Sequence, residues 1–164
     1  MRTMETYVCR VDTPDGPTDY ITLIAPEIVF SQGLTGEAII GALLRPLEPG
    51  ETITPDLFAR NKMFVEFLHD VIARHAPMQR GCIEEASRLQ EGWIYIIDRR
   101  TPTPDGAVPP EDILGAFQVS DGIVVPQSYQ SNPNHQILSD KGFFQLNTGL
   151  QKCLLDELAK NSSS

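Results

Sequence analysis

A turn signal between two apolar runs near the start of the chain constrains its fold most directly. The tetrapeptide Thr-Pro-Asp-Gly at residues 13–16 separates Tyr7–Val11, whose polarity alternates, from the apolar run Tyr20–Ile24. Proline presets the backbone for the second position of a turn, aspartate bonds local amides, and glycine accepts a positive φ. Alternation with period two is typical of a half-buried strand. The sequence therefore predicts that the chain begins with an antiparallel hairpin.

A second hairpin is predicted in the last third of the chain. Asp121-Gly122 lies between Ile113–Val119 and Ile123–Val125, and an Asp-Gly pair between β-rich runs is the strongest short hairpin signal. Upstream, Trp93–Ile97 is apolar on both faces, which is typical of a strand covered on both sides. A further short strand is expected over Phe143–Leu146.

Four segments carry helical signals. Thr35 is expected to cap a short helix that ends at Leu44, and the clearest helix is expected to start at Thr54, with Pro55 in its first turn. Pro77 is expected to end that helix and to begin another, and Asn147 to cap a final one. The resulting order, β-β-α-α-α-β-β-β-α, lacks the alternation of a parallel sheet. It predicts an α+β fold with a mainly antiparallel sheet of about five strands, covered by about four helices.

Composition bounds the size and the surroundings of this fold. The 164 residues, 41% of them hydrophobic, are enough for one domain, expected over residues 1–160 with a disordered tail at 161–164. Three widely spaced cysteines without a Cys-x-x-Cys pair indicate a reducing compartment. No run of 18 apolar residues occurs, and Met1–Pro14 lacks the apolar core of a secretion signal. We therefore expect a soluble, cytoplasmic protein of bacterial type.

The net charge of −9 limits the partners of the chain. A negative field repels phosphate backbones and anionic lipids, so we expect neither nucleic acid nor membrane surfaces as partners. A basic protein or a cationic ligand is the favoured partner. Acidic charge also has a simpler interpretation, because it keeps proteins soluble whatever their function.

Signatures of known catalytic chemistry are absent from the sequence. It contains no glycine-rich phosphate loop and no Gly-x-Ser-x-Gly elbow, and His69 and His75 lie six residues apart instead of the four that a helical zinc motif requires. We therefore expect no metal and no cofactor. Cys82 is expected on the apolar face of a helix, as a small core residue. A Cys82–His135 pair oriented by Asp98 remains the alternative interpretation.

The charged tripeptide Asp98-Arg99-Arg100 is the first candidate site. It follows an apolar strand, and an arginine there could bind a carboxylate or a phosphate through two parallel hydrogen bonds. The alternative is a plain strand end at which Arg99 or Arg100 pairs with Asp98 or another acid. A Pro-rich loop is expected to follow over residues 101–112, with a second Thr-Pro-Asp-Gly turn at 103–106.

The polar segment 126–142 is the second candidate site. Long polar loops in compact domains are often functional, and this one contains Tyr129, Asn132, Asn134 and His135. Histidine titrates near neutral pH, which suits acid–base catalysis. The alternative is local turn chemistry, since asparagine favours turns. Nothing in the sequence indicates whether this loop meets the strand end at Arg99.

Three hypotheses follow. The first is a non-enzymatic binding domain whose partner is a protein or a second copy of the chain. The second is a small hydrolase or transferase, with His135 as general acid and base and with Arg99 or Arg100 binding a small anionic ligand. The third is a ligand sensor with an apolar cavity under its helices and Tyr129 at the mouth.

Overall fold

The first expected hairpin is present in the computed structural model, which describes residues 4–100 and 108–162. Thr13 and Gly16 are the last pair of the hairpin ladder, and the Thr13 hydroxyl donates to the Gly16 carbonyl at 2.6 Å. Gly16 has a φ of 109°, which the turn requires and which a side chain would oppose. The hairpin opens a four-stranded antiparallel sheet in which the strands follow their sequence order. Its strands are β1 (Tyr7–Thr13), β2 (Gly16–Thr22), β3 (Ile39–Leu43) and β4 (Phe58–Arg60).

The helix expected from Thr35 to Leu44 is wrong. A single 3₁₀ turn, Gly36–Ala38, leads into the strand β3, which is paired on one side with β2 and on the other with β4. The apolar residues of this segment occur at both helical and strand spacings, because a strand covered on both faces is apolar throughout. The segment forms a strand because it lies between β2 and β4 and pairs with both.

The helix expected to start at Thr54 begins later. Thr54 precedes a 3₁₀ turn, Pro55–Leu57, and the strand β4 follows before the helix α2 (Lys62–His75). Asn61 caps α2, since its side-chain oxygen accepts from the Met63 N–H. The short helix α1 (Pro26–Gln32), which lies between β2 and β3, is not among the elements expected from the sequence.

The chain divides into two compact units, and the sheet of β1 to β4 belongs to the first. This unit contains the residues up to Leu68 together with those from Leu154 onward, and the second unit is His69–Cys153. A compact unit need not fold independently, so the single domain expected over residues 1–160 stays a prediction. The largest fully buried side chains of the first unit are Ile21, Ile40, Phe64, Leu68, Leu154 and Leu158.

The second unit contains the second expected hairpin. Asp121 and Gly122 have φ values of 52° and 74°, as a two-residue hairpin turn of this hand requires. In this sheet β6 is the centre: β5 pairs along one edge, and β7 and β8 pair in succession along the other. The strands are β5 (Gly92–Ile97), β6 (Ile113–Ser120), β7 (Ile123–Val124) and β8 (Gln130–Ser131).

A separate two-stranded hairpin, β9 (Leu138–Ser139) with β10 (Gly142–Phe143), follows in the chain. The strand expected over 143–146 therefore begins one residue earlier and ends at Phe143. The polar segment 126–142 was expected to be loop, but it includes both β8 and β9. The described strands form three antiparallel sheets in place of the single sheet of about five strands, and the α+β class is confirmed.

Two helices complete the described chain. The helix α3 (Arg80–Leu89) packs on the sheet of the second unit, where Cys82 and Ala86 contact Ile94 and Val119. The helix α4 (Thr148–Ser162) begins after Asn147 as predicted, and it continues through the first two residues of the expected tail. Residues 163–164 and the second Thr-Pro-Asp-Gly turn at 103–106 lie outside the described residues.

Candidate functional site

A network of buried charges lies at the exit of β5. Asp98 has no exposed side-chain surface, and its Oδ1 accepts hydrogen bonds from the backbone N–H of Arg100 at 3.0 Å and of Gln145 at 2.9 Å. Its Oδ2 lies 2.9 Å from His135 Nε2. Because a carboxylate only accepts, His135 carries a proton on Nε2 and donates it to this bond. The 126–142 segment therefore does meet the strand end.

Arg100 is the centre of the network, and its side chain is 2% exposed. Its Nε donates to Asp112 Oδ1 at 2.7 Å. Its two terminal nitrogens donate to backbone carbonyls, those of Glu111 at 2.8 Å, Gln136 at 2.6 Å, Gly142 at 3.0 Å and Ile137 at 3.4 Å. The guanidinium thus connects the strand end, the turn before β6 and the polar segment.

The charges of this network balance. Lys141 Nζ lies 2.7 Å from Asp112 Oδ2, so that two carboxylates, Asp98 and Asp112, are opposed by the two cations Arg100 and Lys141. Removal of one member of such a buried group leaves an uncompensated charge in a medium of low dielectric constant. The arrangement fixes the polar segment against the sheet, and it leaves Arg100 with few donors for a ligand.

Tyr129 and Asn132 also hold this segment in place. The Tyr129 ring packs beside Phe117 with centroids 4.9 Å apart, and it lies over the strand at Gly115, where any side chain would collide with it. The Asn132 amide nitrogen donates to the carbonyls of Pro110 at 2.7 Å and Ile113 at 2.8 Å. Asn134 is exposed, and its backbone N–H donates to the Asn132 side chain.

A histidine outside the predicted site joins Tyr129. His69 Nδ1 lies 2.7 Å from the Tyr129 hydroxyl. Burial lowers the pKa of His69 from 6.5 to about 4, with a further contribution from His135, and burial raises the pKa of Tyr129 above its ordinary value. Both groups are neutral at pH 7, so the bond between them is one between uncharged partners, and the Tyr129 hydroxyl also lies 3.4 Å from the Leu114 carbonyl.

Arg99 lies in entirely different surroundings from those of Arg100. It is exposed and lines a cavity of about 390 Å³ within the second unit. One wall of this cavity consists of six consecutive residues, Ile94–Arg99, and the other contains Gln79, Gly81, Cys82 and Glu85 from the start of α3. Successive residues of a strand point to opposite faces, so a wall of consecutive residues means that the cavity follows the edge of β5. We call it the edge groove.

The hydrogen-bond pattern identifies which backbone groups face the edge groove. Gln118, the partner of Trp93 in β6, donates its N–H to Ser128 Oγ at 3.0 Å and accepts from Val125 N–H at 2.8 Å, both away from β5. Trp93 therefore belongs to a non-hydrogen-bonded pair, and so does Tyr95 two residues later. Their N–H and C=O groups point away from β6 and have no backbone partner among the described residues.

The edge groove is closed at the end near Arg99. The Arg99 N–H donates to the Gln145 carbonyl at 2.8 Å, so the chain leading to α4 occupies the edge from this point. Beyond it, Gln79 and Asn147 pair their side-chain amides, with Gln79 Nε2 3.1 Å from Asn147 Oδ1. The same Asn147 oxygen accepts from the Leu150 N–H at 2.9 Å, as expected of a helix cap.

Cys82 is the only cysteine that lines the edge groove, among the described residues. Burial raises the pKa of its thiol, which keeps it protonated at neutral pH. No hydrogen bond joins it to His135 in the described part of the chain, where the Nε2 of His135 is bonded to Asp98. The arrangement lacks the thiol–imidazole contact that a cysteine nucleophile requires.

The predicted site residues thus fall into separate groups. Asp98, Arg100 and His135 converge in the buried network, Tyr129 and Asn132 anchor the same segment, and Arg99 lines the edge groove. Sequence reasoning missed Asp112 and Lys141, which complete the network, and Trp93 and Tyr95, whose backbone lines an edge. The polarity of Trp93–Ile97 could not reveal that edge, because an apolar strand is typical of a sheet centre.

Other kinds of site find no support within residues 4–100 and 108–162. No group of three or more histidine, cysteine, aspartate or glutamate side chains is placed there to hold a metal ion. None of the helices in this part of the chain combines the length and the apolarity needed to cross a membrane. No protein-family model, no curated protein and no solved structure matches this chain.

Proposed function

We propose that this chain is a non-enzymatic binding module that pairs an extended segment of a partner protein with β5 along the edge groove. One observation carries the proposal: a cavity lined by Ile94–Arg99 follows the edge of β5, and along this edge the N–H and C=O groups of Tyr95, and of Trp93 just before the cavity, have no backbone partner among the described residues. An extended peptide that adds to a sheet edge gains main-chain hydrogen bonds, and pockets for alternate side chains provide specificity.

The composition of β5 supports this function. Natural edge strands usually carry a lysine, a proline or an inward charge that prevents pairing with other chains. Between Trp93 and Ile97 the sequence is Trp-Ile-Tyr-Ile-Ile, without charge or proline, although β6 is its only neighbour among the described strands. An edge of this kind is a template for one more strand.

The two faces of β5 indicate which side chains the segment carries. Trp93 and Tyr95 are 40% and 57% exposed on the face away from α3, and such aromatic side chains are enriched at protein interfaces. On the α3 side, the wall contains Gly81 and the neutral thiol of Cys82. Both surfaces favour apolar side chains in the bound segment. The net charge of −9 favours basic residues outside the groove.

A single segment suits the groove better than a second copy of the chain. The cavity beside β5 is also lined by Gly81, Cys82 and Glu85 of α3, so an added segment would contact both elements. A second copy would bring its own β5 together with its own α3 and sheet. Self-association through β5 is therefore the competing outcome of the test below.

The hydrolase or transferase hypothesis has less support from the geometry. A general acid or base must lie within hydrogen-bond reach of a substrate. His135 is 4% exposed and bonded to Asp98, and the donors of Arg100 are occupied by Asp112 and by backbone carbonyls. The catalytic role of His135 stays a prediction that no observation favours.

Replacement of Tyr95 tests the proposal. Tyr95→Pro removes the outward N–H and no bond of the β5–β6 ladder, since proline is tolerated at strand edges when its nitrogen faces outward. Tyr95→Val is the matched control, because it keeps the N–H. Peptides selected from a displayed library of random octapeptides should bind the wild type and Tyr95→Val similarly, and Tyr95→Pro about tenfold more weakly, as the loss of one interfacial hydrogen bond predicts.

Hydrogen exchange provides a readout that does not depend on the proline variant. Bound peptide should slow exchange of the Trp93 and Tyr95 amides in the wild type. If selected peptides leave these amides unprotected, if no peptide is selected, or if the chain dimerises through β5 instead, the proposal is overturned.

A further inference from the structure

We infer that the closed end of the edge groove binds the free C-terminal carboxylate of the partner segment, with Arg99 as its anion-binding group. The inference rests on the proposed function and specifies the class of partner: a protein recognised by its extended C-terminus. Three features of the groove carry it.

The first feature is the closure of the edge. Because the Arg99 N–H is bonded to the Gln145 carbonyl, a strand paired with β5 cannot continue beyond this point along the sheet. A segment that enters from the Trp93 end must therefore terminate near Arg99. The groove thus favours a chain end over a continuous chain.

The second feature is the charge at this end. Arg99 is exposed to the groove, and no described residue accepts a hydrogen bond from its guanidinium. Six other arginines do pair with carboxylates, namely Arg10, Arg45, Arg74, Arg80, Arg88 and Arg100. A cation with no partner among the described residues attracts a terminal carboxylate and repels a terminal ammonium group, so the end that fits is the C-terminus.

The third feature is the set of neighbouring groups. The Gln79 and Asn147 amide nitrogens each have two N–H groups, and each donates one to the other side chain. Both side chains line the groove, and no hydrogen bond among the described residues uses the second N–H of either. Among the residues lining the groove, the acidic side chains are already engaged, Glu85 with Arg88 and Asp98 within the buried network. The closed end is therefore locally positive in a chain of net charge −9.

These features set the direction and the length of the segment. A carboxylate at Arg99 requires the segment to run in the same direction as β5, as a parallel neighbour. The free edge extends from Trp93 to Ile97, and at a rise of about 3.3 Å per residue it accommodates about five residues. Recognition should therefore depend on the last four or five residues of the partner.

Amidation of the peptide tests the inference directly. Peptides selected from a library of random heptapeptides with free C-termini are compared with the same sequences as C-terminal amides. We expect amidation to weaken binding to the wild type by about tenfold to hundredfold, the range for a hydrogen bond to a charged group. In Arg99→Met the acid and the amide should bind equally weakly, and Arg99→Lys should recover part of the preference for the acid.

The outcomes separate this inference from the proposed function. If peptides protect the Trp93 and Tyr95 amides but amidation and Arg99→Met leave affinity unchanged, the carboxylate site is wrong and pairing along the edge stands. The same conclusion follows if affinity depends on an internal aspartate or glutamate. If the peptides give no protection, or none is selected, both are wrong. Because Arg99 is exposed, these variants should keep the fold of the wild type, and circular dichroism checks that they do.

Discussion

Arg99 and Arg100 are adjacent in the chain and differ in almost every physical respect. One guanidinium is exposed at the end of a groove, and the other is enclosed by Asp112 and four backbone carbonyls. The contrast arises in the turn that follows β5, where the Arg100 N–H is bonded to Asp98 and its side chain reaches Asp112. The pair offers an internal control for the energetic role of the buried network.

The first prediction compares the removal of each charge. Arg100→Met should lower the free energy of unfolding by about 3–5 kcal/mol, because it leaves Asp98 and Asp112 buried with only Lys141 and His135 to compensate them. Arg99→Met should change it by less than about 0.5 kcal/mol, as is usual for an exposed side chain. Urea denaturation measures both. Equal effects of the two substitutions would contradict the role assigned to the network.

A second prediction at this scale concerns acid. The pKa of His69 is about 4 in the folded protein and 6.5 when the residue is free of its surroundings. As the pH falls from 6.5 to 4, His69 therefore binds a proton in the unfolded chain and does not bind one in the folded chain. The contribution of His69 to the free energy of unfolding is fully present above pH 6.5. It should fall by about 2–3 kcal/mol as the pH is lowered to 4.

The variant His69→Asn isolates this contribution, because asparagine keeps an acceptor for the Tyr129 hydroxyl and does not titrate. Urea denaturation between pH 7 and pH 4 should show a shallower loss of stability for His69→Asn than for the wild type. Parallel pH profiles would mean that His69 is protonated in the folded state or that it titrates as it does in the unfolded chain.

At the scale of elements, the packing against β6 depends on a residue without a side chain, Gly115. Gly115 lies where β6 is paired with β5 on one side and with β8 on the other, and a Cβ there would overlap the Tyr129 ring. The absence of a side chain lets the ring approach the strand and reach His69. This is a requirement for space, since the backbone of Gly115 does not have a positive φ.

Gly115→Ala should therefore displace Tyr129 and lower stability by about 1–3 kcal/mol, the usual cost of overpacking an interior. Gly81→Ala is the matched control, because a Cβ at Gly81 meets no atom within 4 Å. Alanine also favours the helix α3 at that position, by up to about 1 kcal/mol. Thermal denaturation of the two variants measures the difference, and a stable Gly115→Ala would show that the ring can move at little cost.

Elements that are determined by residues within or next to them could be predicted from the sequence. Elements that are determined by pairing with distant strands could not. Both hairpins and the start of α4 were found, because turn residues and Asn147 act within a few residues of themselves. The strand β3 was mistaken for a helix, since only its pairing with β2 and β4 distinguishes the two. Arg99 and Arg100 could be selected as candidates because they directly follow an apolar strand. Their opposite environments could not be predicted, because these depend on Gln145 and Asp112, which are distant in sequence.

At the scale of the whole molecule, the chain forms two compact units whose boundaries lie within α2 and α4. The edge groove and the charge network both belong to the unit His69–Cys153. The negative charge of the whole chain and the positive end of the groove act at different ranges. Net charge determines which partners approach, with a range of about 8–10 Å in salt, whereas Arg99 acts on a carboxylate that has already arrived.

The charge network also has a consequence for the order of events in folding. Its members come from distant parts of the chain: His135 and Asp98 are 37 residues apart, and Arg100 and the Gly142 carbonyl are 42 apart. Loops of this length must close before the contacts can form, so the network should assemble after the rate-limiting barrier. Its loss would then mainly accelerate unfolding and leave the folding rate nearly unchanged, which makes these five side chains a determinant of the lifetime of the native state.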